Sequence, residues 1–181
     1  MAEPEAASAI MMDHLVTLTY VEDLPPNTVR FAEGLVDGRI IGEKCPVCAR
    51  VIVPPKGYCS LDMVLMDSSH ELEVSDHGTV TGFTIVAPVK YYGQTKTEPF
   101  VYASVLLDGA SGTLGGQEIK GLPADKVRDG MRVKAIWKAP AERTTDGQSA
   151  RGWGSVSGAI DGFESSGEPD VPKDHYKDHI I

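Results

Sequence analysis

All three cysteines of this chain fall within residues 45–59, and their spacing sets the first limit on how it folds. Cys45-Pro46-Val47-Cys48 puts two thiols on one tight turn. After ten intervening residues comes Cys59, followed at the same spacing by Asp62. Such x-x spacing lets two ligand atoms face one cation around a turn. The flanking residues alternate between strand and turn. Arg39-Ile40-Ile41-Gly42 leads into the first pair, and Val51-Ile52-Val53, Pro54-Pro55 and Gly57-Tyr58 lead into Cys59. A segment this short cannot bury a core of its own, so something other than packing must hold it. Zinc takes four ligands in structural sites, and carboxylate oxygen is an accepted though less common donor. The expected centre is therefore a Zn2+ ribbon held by Cys45, Cys48, Cys59 and Asp62. One carboxylate in place of a fourth thiolate leaves the site charge unchanged but suits zinc less well.

Four other readings of these residues stay open at this stage. Cys45 and Cys48 would serve as a redox pair, but no βαβ pattern surrounds them. A disulfide with one cysteine left over needs an oxidising compartment. A ribbon that has lost its metal would survive by packing alone. His70 would replace Asp62 as fourth ligand only by reaching back past the expected turn. With all four positions filled by protein, the expected metal is structural and not catalytic.

The rest of the chain excludes several classes. Lysine and arginine number 17 against 26 aspartates and glutamates, a net charge of −9. Net acidity disfavours non-specific nucleic-acid binding, which runs on phosphate neutralisation. No window approaches the roughly 18 apolar residues of a membrane helix. The acidic start, MAEPEAASAIMMDH, lacks the basic-then-apolar pattern of a secretory signal, so a cytoplasmic location is expected. The charge is uneven: residues 27–60 carry five bases and three acids, the one locally basic stretch, and it contains the cysteines.

The pattern predicts a mainly β chain. Residues 1–26 form a lead-in with a strand expected over 14–22. Residues 27–69 hold a short helix, capped by Asn27 and ended at Gly38, and then the ribbon. Residues 70–164 alternate in strand-like runs, with Thr79–Val86, Phe100–Leu107, Leu114–Ile119, Met131–Trp137 and Trp153–Phe163 suggesting a five-stranded barrel. Residues 140–152 read as a mobile polar loop. Residues 165–181 read as an extended tail.

No catalytic nucleophile emerges. No Ser sits in a Gly-x-Ser-x-Gly elbow. The glycine-rich run Gly109–Gly116 lacks the lysine of a phosphate loop and reads as a β-turn. The five histidines show no ligand or acid–base spacing. Tyr91, Tyr92, Phe100 and Tyr102 would suit base stacking on a sheet, but at 7% aromatic content and net negative charge, packing is the better reading.

The order of these features resembles a known family. The short helix is followed by Gly38-Arg39-Ile40-Ile41-Gly42-Glu43-Lys44-Cys45-Pro46-Val47-Cys48. Val53-Pro54-Pro55-Lys56-Gly57-Tyr58-Cys59 and a five-stranded region come next, and the tail contains Glu168-Pro169-Asp170-Val171-Pro172. Together these resemble the zinc-ribbon plus OB-fold accessory proteins of thiolases, long filed as a domain of unknown function. The likeness spans roughly residues 27–172. It implies a rubredoxin-like zinc ribbon followed by an OB-fold barrel. It also implies a non-catalytic subunit of a sterol-carrier-protein-like or lipid-transfer-like thiolase, in a hetero-oligomer acting on acyl-CoA thioesters in lipid, steroid or aromatic-acid degradation. The family's ribbon commonly has four cysteines, so Asp62 is a departure. On this reading Lys44, Arg50 and Lys56 would meet CoA phosphates or a partner surface. The tail, with Tyr176, Ile180 and Ile181, would lie across the partner. The competing reading is a single-stranded nucleic-acid-binding zinc-ribbon/OB-fold protein.

Overall fold

The computed structural model describes residues 16–19, 21–88 and 95–179. Of the strand expected over 14–22, residues 16–19 and 21–22 are described and form none; the others lie outside the described residues, as do Tyr91, Tyr92, Ile180 and Ile181. Regular structure begins with helix α1 (Pro26–Val36). Pro25 takes the N-cap and Pro26 the first helical position, where a missing N–H costs nothing. Asn27, expected as the cap, instead donates from Nδ2 to the Pro55 carbonyl at 2.9 Å and ties the helix to the ribbon. Phe31, Ala32 and Leu35 form the buried face. Gly34 on that face lets the helix approach the next strand closely, because a Cβ there would stand 2.7 Å from Ile41 Cγ1.

The ribbon consists of five short strands: β1 (Ile40–Lys44), β2 (Val51–Ile52), β3 (Tyr58–Cys59), β4 (Val64–Leu65) and β5 (Glu71–Val74). They form two separate sheets. One has the order β2-β1-β5 and the other is the β3-β4 hairpin. β5 pairs with β1 over Ile40–Glu43, so the chain crosses the ribbon sheet before it enters the barrel.

The second unit is a closed barrel of five strands, the OB-fold expected from the alternation: β6 (His77–Val86), β7 (Phe100–Leu107), β8 (Thr113–Lys120), β9 (Arg132–Trp137) and β10 (Ile160–Ser165), in the order β10-β8-β7-β6-β9. Antiparallel pairing of β10 with β9 closes it, and β8 and β10 run parallel. β7 shows the cause most simply: Val101, Ala103, Val105 and Leu107 alternate inward, as a two-residue period requires. They meet Val80, Val133, Ile160 and Phe163 in one core, which also takes in Phe31 and Leu35 of the helix and Val51 and Val53 of the ribbon.

Three segments differ from their sequence-based reading. The strand expected over 153–163 begins only at Ile160. Residues ahead of it are held by Gln148, a buried side chain that donates to the Ser155 carbonyl and accepts from the Gly154 N–H. The polar loop over 140–152 contains a 3-10 turn, Pro140–Glu142, and helix α2 (Gly147–Arg151). The tail runs extended only as far as Pro172 and then makes 3-10 turns at Lys173–His175 and Lys177–His179.

The tail also packs on its own barrel. Val171 N–H donates to the Gly130 carbonyl at 2.8 Å, and Arg132 bridges Asp108 and Glu168. Gly130, at φ +83°, has no room for a Cβ, which would lie 2.5 Å from the Val171 oxygen. Tyr176 is buried, so this aromatic is not available to a partner as the sequence reading supposed.

Candidate metal centre

Each half of the ribbon brings two ligand atoms to one point. In the first half, Cys45 follows directly on β1 and its N–H donates to the Arg50 carbonyl at 2.8 Å, closing the turn. The Val47 N–H points at the Cys45 sulfur, 3.4 Å away. Cys48 is followed by Ala49 in the left-handed region, at φ 59°. In the second half, Cys59 lies on β3 and Asp62 on the turn to β4. Asp62 is followed by Met63, again left-handed, at φ 54°. A left-handed non-glycine residue costs on the order of 1 kcal/mol. Having one directly after the second ligand of each pair shows that the two turns are built alike. Asp62 thus holds the position in the second turn that Cys48 holds in the first.

The four ligand atoms lie within 4.8 Å of one another. Cys48 and Cys59 Sγ are 3.8 Å apart, and Asp62 Oδ2 lies 3.2 Å from Cys45 Sγ and 3.3 Å from Cys59 Sγ. Tetrahedral zinc with ordinary bond lengths needs about 3.8 Å between sulfurs and about 3.5 Å between sulfur and oxygen. These three spacings fit within a few tenths of an ångström, and with all four atoms inside 4.8 Å the cluster is positioned to hold one zinc ion. Cys45 and Cys59 are buried, Cys48 is exposed and Asp62 half-buried. The three cysteines are free thiols, not a disulfide with a leftover. His70 stands apart from the cluster and is hydrogen-bonded to Asp67 in a small capping box.

The thiols donate to the Asp62 carboxylate. Hydrogen bonding to Asp62, first among several causes, pushes the Cys48 thiol up to about 12. Thiol donors, Cys48 foremost, hold the Asp62 carboxyl below its ordinary range. A divalent ion reverses this arrangement by deprotonating the thiols that bind it. Metal uptake here releases protons, and affinity rises with pH.

The three basic residues singled out in the sequence separate. Arg50 and Lys56 line one cleft of about 430 Å3 between the ribbon and the β7–β8 turn, with Tyr58, Ser60, Ser111 and Thr113. No carboxylate among the described residues lines it. Lys44 lines a different cleft, beside Cys45 and His70. Ser111 forms the floor of the junction, because its N–H and Oγ pair with the carbonyl and N–H of Val51 at 2.8 and 3.0 Å.

Two features of the ribbon escaped the sequence reading. Val47, Tyr58, Leu61, Met63 and Leu65 are all exposed, Met63 and Leu65 at 82% each. Glu43 is fully buried. The first had a signal in the sequence: Leu61, Met63, Val64 and Leu65 flank the second turn's ligands with apolar side chains, where a free surface would carry polar ones. Glu43 had a weaker one, an acid in the otherwise apolar run Ile40-Ile41-Gly42.

Comparison with known proteins gives a consistent picture. The rubredoxin-like zinc ribbon domain of ChsH2 matches residues 32–61, and the C-terminal OB-fold domain of ChsH2 matches residues 71–138. The ribbon match stops one residue short of Asp62, so the place of Asp62 in the site rests on its geometry. No curated protein matches the chain. Among solved structures, a DUF35-family protein of unknown function from Sulfolobus solfataricus is 27% identical. The match covers 61% of this chain and 78% of that one, with a TM-score of 0.51. A chain of the Ltp2-ChsH2(DUF35) aldolase is 20% identical over 66% of this chain and 90% of that one, with a TM-score of 0.50, a likeness of fold.

Proposed function

We propose, for a chain that belongs to the ChsH2 family of zinc-ribbon and OB-fold proteins, a non-catalytic role as partner subunit of an aldolase- or thiolase-like enzyme. The observation that carries this reading is the exposed apolar face of the ribbon. Val47, Tyr58, Leu61, Met63 and Leu65 surround the metal turns without a covering element among the described residues. Clustered exposed apolar side chains on a soluble domain mark an interaction site. The structural relative within an Ltp2-ChsH2 assembly agrees with this.

Asp62 completes the zinc site as its fourth ligand. Cys45, Cys48 and Cys59 are then all committed to the ion, and none remains as a nucleophile. The carbon–carbon chemistry on the acyl-CoA thioester belongs to the partner. The cleft holding Arg50 and Lys56, cationic and hydroxyl-lined, is suited to CoA phosphates at the shared site. Lys44, in its separate cleft, is a partner contact instead. The barrel aromatics Phe100 and Tyr102 pack edge to face, with Lys96 lying 3.9 Å over Phe100 and paired to Glu118. Aromatics so engaged offer little to a nucleic-acid strand.

Purification of the tagged chain from its own cells tests this. The expected result is a stoichiometric thiolase-fold protein, identified by mass spectrometry, and acyl-CoA turnover that follows that protein. A bound oligonucleotide with no such protein would establish the nucleic-acid reading instead.

A further inference from the structure

Glu43 lies one residue before the end of β1, is 0% exposed, and is not one of the four residues of the metal cluster. Its Oε2 accepts the Lys56 N–H at 3.0 Å and the Gly57 N–H at 2.7 Å. Its Oε1 is buried with no hydrogen-bond partner among the described residues. A buried carboxylate with one oxygen unsatisfied is costly, and an apolar side chain would serve the core better. Arg30 and Glu71 are the charged neighbours. Glu71 stands opposite Glu43 in the β1–β5 pairing, and Arg30 Nε holds Glu71 at 2.6 Å.

The topology shows what the carboxylate accomplishes. Cys45 is reached through β1, in the sheet β2-β1-β5, whereas Cys59 lies in the separate β3-β4 hairpin. No strand pairing joins the two. Apart from contacts made by ligand atoms themselves, the described hydrogen bonds between residues 40–53 and 56–66 are the two received by Glu43. Glu43 precedes Cys45 by two residues, and Gly57 precedes Cys59 by two. One carboxylate therefore clamps the two ligand arms at matching positions. Gly57, at φ +75°, lets the loop present both N–H groups to the same oxygen.

We infer that Glu43 is a positioning residue for the metal: it pre-assembles the two halves of the zinc site before the ion binds. The inference rests on the metal centre and not on the identity of any partner. Groups that orient metal ligands from outside are worth on the order of 10- to 100-fold in affinity. For the full-length chain, Glu43→Ala should weaken Zn2+ binding in chelator competition by about 10-fold or more. It should also alter the ligand-field spectrum of the Co2+-loaded protein. Glu43→Gln keeps an acceptor oxygen for the same two N–H groups and should restore most of the affinity. In the wild-type chain stripped of metal, the Lys56 and Gly57 amides should exchange slowly with solvent. Wild-type affinity in Glu43→Ala would overturn the inference. So would a Glu43→Gln variant as weak as the alanine. Rapid exchange of both amides in the metal-free wild type would overturn it as well, and that measurement needs no variant to fold.

Discussion

Cys59→Ser is expected to release the metal and melt the β3–β4 hairpin, residues 58–66, while the barrel stays folded. Cys59 is 1% exposed and lies between Cys48 at 3.8 Å and Asp62 at 3.3 Å, so every other ligand loses its geometry with it. Serine is a poor zinc ligand and leaves a buried hydroxyl. That hairpin has little else to hold it: β3 and β4 are two residues each, form a sheet of their own, and the cluster around Cys45, Cys59 and Met66 is small. Structural zinc contributes on the order of 10 kcal/mol to folding in small zinc peptides. The barrel has its own core of Val80, Val101, Val105, Val133 and Phe163, all at 1% exposure or less, and does not depend on the ion. Amide exchange and metal analysis should show zinc lost, residues 58–66 unprotected and β6–β10 unchanged. A variant with wild-type zinc content and melting temperature would contradict a structural metal.

The second large effect is expected on association. Leu61→Ser, Met63→Asn and Leu65→Thr together remove exposed apolar surface from the second ribbon turn. None of the three is buried, so the fold should tolerate them, and asparagine suits the left-handed backbone at 63. Zinc content and melting temperature should remain those of the wild type. Apolar anchors at an interface centre are worth about 2 kcal/mol or more each. Loss of two such anchors lowers partner affinity on the order of a thousandfold. Affinity for the co-purified partner, measured by titration, should fall on that scale. Unchanged affinity would move the docking site elsewhere on the chain and leave the partner role intact.

What the sequence disclosed and what it withheld divide along one physical line. The ligands were legible because metal coordination ties them to a local spacing: Cys45 with Cys48, and Cys59 with Asp62. The barrel was legible because alternation such as Val101, Ala103, Val105 and Leu107 is also local. Contacts across the chain were not. Asn27 looks like a helix cap in isolation, but the Pro55 carbonyl, 28 residues on, takes its side chain. Trp153 and Val156 suggest a strand starting early, yet Gln148 pins residues 154 and 155 in a turn. Tyr176 has no periodic apolar partner within the tail, and its burial comes with the tail folding back onto the barrel. Glu43 gave almost no sign, since its role exists only once β1 and the loop at 56–57 come together.

In the proposed role, a metal-held ribbon is what joins the chain to an enzyme. Removing zinc from the purified complex with a strong chelator, and following the complex by native mass spectrometry, tests this most directly. The predicted result is one zinc per chain before treatment, then loss of the ion together with release of a still-folded barrel from the partner. A complex that persists intact after the zinc has gone would contradict it.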